Sequence, residues 1–82
     1  MIKKSEMVGI SMRRAYCNGA VLKGVIGRMS IFTSAVLVDA NFEGADLDDA
    51  NFEYATLIRT NFLFVKRNGA KFAGAATFGA IF

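Results

Sequence analysis

The chain has no proline, no histidine and a single cysteine, Cys17, in 82 residues. A loop-rich domain would use proline at its turns, so its absence suits an uninterrupted repeating backbone. With one cysteine there is no intramolecular disulfide. Without histidine there is no Cys–His nucleophile pair and no cysteine/histidine metal set, and Cys17 reads as a small buried apolar residue. No run of 18 apolar residues could form a spanning helix. The start, Met-Ile-Lys-Lys-Ser-Glu, is not followed by the apolar core of a signal peptide, which favours the cytoplasm unless the chain is a processed form. No glycine-rich phosphate loop and no EF-hand spacing occurs, so the chain does not read as an enzyme, and no cofactor is expected.

What is present is apolar: 54% hydrophobic against 21% charged residues, a balance that excludes disorder. The length suits one domain, residues 1–82. Charge is segregated. Lys3, Lys4, Arg13, Arg14, Lys23 and Arg28 make the first third basic. Asp39, Glu43, Asp46, Asp48, Asp49 and Glu53 make the middle acidic, and Lys66, Arg67 and Lys71 return the end to basic.

The dominant signal is a period of five. Ten of the twelve alanines fall at positions divisible by five, and six of the eight phenylalanines fall two residues later, at 32, 42, 52, 62, 72 and 82. Leu22, Leu37, Leu47 and Leu57 share the phenylalanine register, where chance would put about a fifth of each type. On an α-helix a five-residue step turns by about 140°, which scatters the alanines. On a flat strand an odd step flips the side chain to the other face. A backbone that turns a corner once per repeat removes both conflicts. Each unit then sends one large and one small residue inward and three outward.

Ser30 and Thr60 replace alanine at the small position, and Val25 and Val65 strain it. Asn41, Asp46, Asn51 and Asn61 lie between small and large, where a short polar side chain can bond nearby backbone. Gly44, Gly69, Gly74 and Gly79 end repeats, where a turn calls for a permissive backbone. Units such as ANFEG (40–44), ADLDD (45–49) and ANFEY (50–54) resemble the pentapeptide-repeat family, whose consensus is Ala-(Asp/Asn)-Leu-x-x. The register runs from about Met7 to Phe82. The resemblance implies an all-β fold, a right-handed quadrilateral β-helix with twenty residues per coil and about four coils.

A twenty-residue coil predicts four inward ladders. These are Ile2, Leu22, Phe42, Phe62, Phe82; Met7, Gly27, Leu47, Arg67; Met12, Phe32, Phe52, Phe72; and Cys17, Leu37, Leu57, Thr77. The second is irregular: Gly27 is expected to leave a void, and Arg67 to be turned to solvent by a bulge.

Outside, Tyr16, Val36 and Thr56 are expected on one row and Val38, Ile58 and Phe78 on the next, an apolar patch that reads as a protein interface. The chain ends in register at Ile81 and Phe82, so that coil end is a second contact candidate, serving a protein partner or self-association. The acidic cluster Asp46, Asp48, Asp49 and Glu53 reads as a solvated belt rather than a cation site. The leading functional expectation is a non-catalytic structural or adaptor module. The resemblance also implies an alternative, a DNA mimic that inhibits DNA gyrase in quinolone resistance. Such mimicry needs a surface negative along its length, and this chain is net basic. Nucleic-acid binding through the basic N-terminal third is a further alternative, disfavoured because Tyr16 is a lone aromatic there. Family members in cyanobacteria and thylakoids leave open a thylakoid location and docking on a membrane-protein complex.

Overall fold

The computed structural model describes residues 6–82; the expectations placed on Ile2, Lys3 and Lys4 lie outside them. Parallel bridges join residue n to residue n+20 throughout, from Glu6 with Ile26 to Asn61 with Ile81. The twenty-residue coil is thus read directly from the pairing. The chain forms a right-handed quadrilateral β-helix. Its coils cover residues 6–25, 26–45, 46–65 and 66–82.

Each corner is a β-turn. The amide of the small residue donates to the carbonyl of the preceding large residue, as from Ala45 to Phe42 (2.9 Å) and Ala50 to Leu47 (3.0 Å). The third residue of each turn, at 9, 14, 19 and every fifth position to 79, has positive φ. Seven of these are glycine and eight are not. The others, among them Arg14, Met29, Tyr54 and Phe64, bear a left-handed backbone that costs about 1 kcal/mol each. In the last coil glycine has a second reason. A Cβ on Gly74 would lie 2.5 Å from the Tyr54 ring, which leans onto it from the coil before.

In the inner coils three amides per repeat bond to adjacent coils, as Leu47 to Lys66 (2.7 Å), Asp49 to Asn68 (2.8 Å) and Asp46 to Val25 (2.9 Å). With the turn bond, four of the five amides are paired along the backbone. In four repeats the fifth, just after the large residue, finds a side chain two residues before it. Glu43, Asp48, Glu53 and Leu63 donate to the side-chain oxygens of Asn41, Asp46, Asn51 and Asn61 at 2.8–3.2 Å. The Asn/Asp preference in the repeat is therefore a matter of satisfying a donor that the coil leaves over.

The interior is phenylalanine and leucine. Phe32, Phe52 and Phe72 stack with parallel rings at 4.9 and 5.2 Å, and Phe42, Phe62 and Phe82 do so at 5.3 and 5.1 Å. The two stacks meet edge to face at 5.5–5.7 Å. Rings from opposite sides thus fill the coil, each fully buried one stabilising it by roughly 1.5–3 kcal/mol. Ser30 and Thr60 are buried with their hydroxyls donating to the Gly27 and Leu37 carbonyls (2.6 and 2.7 Å). Val25 is accommodated, buried and still turn-bonded to Leu22 (3.2 Å).

Two expectations for the irregular ladder are corrected. Gly27 leaves no void, because Leu47 of the next coil fills its place and comes within 3.0 Å of where a Cβ would be. Arg67 is not displaced by a bulge. The turn bond from Ala70 to Arg67 and the bond from Leu47 to Lys66 keep the register, and the exposed Arg67 guanidinium lies 4.9 Å over the Phe82 ring. Cys17 keeps its inward register but is half-buried rather than buried, in the first coil.

Candidate protein interface

Four flat faces result, each carrying two outward rows. The face over Leu37 and Leu57 gathers Tyr16, Val36, Thr56 and Ala76 on one row, joined by successive bridges. Beside it run Asn18, Val38, Ile58 and Phe78. Six predicted interface residues thus share one face: Tyr16, Val36, Val38, Thr56, Ile58 and Phe78. Tyr16 and Phe78 stand proud at 86% and 82% exposure, while the residues between them are half-buried. Two large rings therefore flank a flatter apolar centre.

Ile81 and Phe82 are not part of it. Ile81 pairs with Asn61 on the adjacent face, and Phe82 stacks on Phe62 in the interior ladder. Placement on a different side of the square separates them from the other candidates.

Among the described residues charge distinguishes this face, which carries no ionisable side chain except the Tyr16 phenol. The others carry Lys23 and Glu43; Glu6, Arg28, Asp46, Asp48 and Lys66; and Arg13, Glu53 and Lys71. One corner beside the uncharged face holds a bidentate ion pair, Arg59 to Asp39 at 2.7 and 3.0 Å. The hydrogen bond from Arg59 holds the Asp39 carboxyl below its ordinary range and raises Arg59, with mutual attraction a smaller cause in Asp39. The opposite corner carries Arg14, Ser34, Tyr54 and Gly74.

The acidic cluster does not behave as one solvated belt. Asp48 is almost buried and accepts the Asn68 amide (2.9 Å), and Lys66 reaches Asp48 and Asp46 at 3.6 and 3.9 Å. Asp49 lies exposed at a corner and Glu53 on the next face. Among the described residues no group of acidic or cysteine side chains converges to hold a metal ion. The described N-terminal basic residues do not converge either. Arg13, Lys23 and Arg28 lie on three different faces, and Arg14 on a corner. The position of Tyr54 at the corner edging this face was not anticipated; there its ring lies against Gly74 of the last coil.

These features define a β-solenoid of five-residue repeats with an uncharged face. The family model described as pentapeptide repeats (8 copies) matches residues 30–62, and over that stretch the chain is built of pentapeptide repeats. Among solved structures, one similar fold is a pentapeptide-repeat protein from the Arabidopsis thaliana thylakoid lumen. It is 24% identical with a TM-score of 0.75, over 95% of this chain and 65% of that one. Another is a pentapeptide-repeat protein from the cyanobacterium Cyanothece 51142, 20% identical with a TM-score of 0.61, over 96% of this chain and 61% of that one. This chain therefore spans less than two thirds of either, and the likeness is one of fold. No curated protein matches the sequence significantly.

Proposed function

We propose that the chain is a non-catalytic interaction module that binds protein through the face carrying Tyr16, Val36, Val38, Thr56, Ile58 and Phe78. The observation that carries this reading is the contrast among the four faces: three are charged, and this one is apolar and without formal charge. β-branched residues favour strands anywhere, so their presence alone decides nothing. Their segregation onto one face with two projecting rings supports a surface meant to be covered. A flat β-face of this kind packs best on another flat apolar surface, at a spacing of about 10 Å.

A photo-crosslinking residue at position 38, compared with one at position 43 on a charged face, tests the reading in cells. Protein adducts formed at 38 and not at 43 are expected, and they should vanish when Ile58→Asp is added. Equal labelling at both positions, or none at 38, overturns the proposal.

A further inference from the structure

We infer that the partner for this face is a second copy of the same chain, packed face to face with its coils running in the opposite direction. The inference rests on the interface reading above and names its occupant. A two-fold axis lying in the face, parallel to the strands and midway between the second and third coils, makes an isologous contact. It sets Val36 opposite Thr56 of the second copy and Val38 opposite Ile58. It sets the projecting Tyr16 ring opposite Ala76, and the projecting Phe78 ring opposite Asn18, so each projecting ring meets a smaller side chain.

The corners follow the same symmetry. Asp39 comes opposite Arg59 of the second copy, and Arg59 opposite Asp39, so the existing ion pair joins its counterpart in an alternating square of four charges. On the other corner Tyr54 comes opposite Ser34. The alternative two-fold, along the stack, also matches large rings to small residues, but it sets Asp39 against Ser34 and Arg59 against Tyr54. Charge complementarity therefore selects the antiparallel arrangement. The face measures roughly 19 by 10 Å, from four coils and three residues per side. That is small beside the ~800 Å² per partner of a standard interface, so the dimer is weak.

Sedimentation equilibrium of the purified chain tests this. Dimerisation over the range about 10–500 µM is expected, weakened at least about tenfold by Val38→Asp. The single variants Asp39→Arg and Arg59→Asp should each be monomeric where the wild type is half dimer, and mixing the two should restore dimer mass, since each supplies the charge the other lacks. Both substitutions fit the corner backbone, because Arg14 and Asp49 already occupy that register with positive φ. Circular dichroism of each variant confirms the fold. A wild type that stays monomeric to 500 µM, a dimer indifferent to Val38→Asp, or a mixture that does not regain dimer mass overturns the inference. If the chain is monomeric while position 38 still crosslinks to a different protein, self-pairing fails and the interface reading stands; if neither occurs, both fail.

Discussion

The first coil, residues 6–25, and the third, residues 46–65, share one backbone and differ in what fills and caps it. Both bond to the following coil in the same pattern and turn the same positive-φ corners, and the third is also bonded to the coil before it. Inside, the third coil places Leu47, Phe52, Leu57 and Phe62, each 1% exposed or less, whereas the first places Met7, Met12, Cys17 and Leu22, all half-buried. On the outside, Asp46, Asn51 and Asn61 satisfy the leftover amide of three repeats in the third coil. Glu6, Ser11, Tyr16 and Val21 hold those positions in the first coil and accept no such bond. The difference teaches that register propagates through the backbone ladder, while the side-chain signature adds stability where it is present. The family match at residues 30–62, within the second and third coils, follows the same division.

The comparison can be broken most forcefully in the core. Phe52→Ala removes a ring that stacks on Phe32 and Phe72 and meets Phe42 and Phe62 edge-on, and should cost about 3–5 kcal/mol. Met12→Ala, in the same ladder one end down, should cost about 1–2 kcal/mol because it is already half in water. Urea unfolding midpoints of the two variants measure the gap; equal losses would mean the coils are equally packed.

Corners come next. Gly74→Ala must adopt φ +72 and displace the Tyr54 ring, a loss of roughly 2 kcal/mol, whereas Gly24→Ala pays only for φ +70 in open space, about 1 kcal/mol. Adding Tyr54→Ala to Gly74→Ala should remove the excess and sharpen the attribution. The side-chain caps are smaller. Asn51→Ala leaves the Glu53 amide without its acceptor and should cost about 1 kcal/mol, while Ser11→Ala, with no such role, should stay within ~0.5 kcal/mol. Thermal melts resolve the pair.

The smallest effect is electrostatic. Asp39 titrates below its ordinary 3.8 because Arg59 hydrogen-bonds its charged form. A depressed folded value contributes stability above the unfolded one, and that contribution is lost as pH falls through the folded value. Wild type should therefore exceed Asp39→Asn slightly at about pH 6, and the two should converge near pH 2. A gap that persists in acid would show that the carboxylate charge is not what matters.

Much of this was legible in the chain itself. The alanine and phenylalanine registers carry the five-residue period, and the separation of phenylalanine from leucine ladders carries the twenty. That six of the eight interface candidates share one face follows from counting by twenty along the outward rows. Ile81 and Phe82 were read as a separate coil-end candidate, and counting by twenty puts Ile81 on the row of Asn61 and Phe82 on the ladder of Phe62. The Gly27 and Arg67 misreadings have a shared cause. Each was judged by its own side chain, while the space and the hydrogen bonds at those points belong to residues of the neighbouring coil.

What the sequence by itself determined is the inside-to-outside pattern, because apolar burial repeats with the backbone and leaves a periodic trace. Only the tertiary structure decided how Leu47 closes over Gly27, how Asp48 becomes buried under Asn68, how the Tyr54 ring lies on Gly74, and how Asp39 and Arg59 form a bidentate pair. Those contacts join residues twenty apart through the tilt of individual side chains, and tilt is set by packing between coils, which has no period of its own.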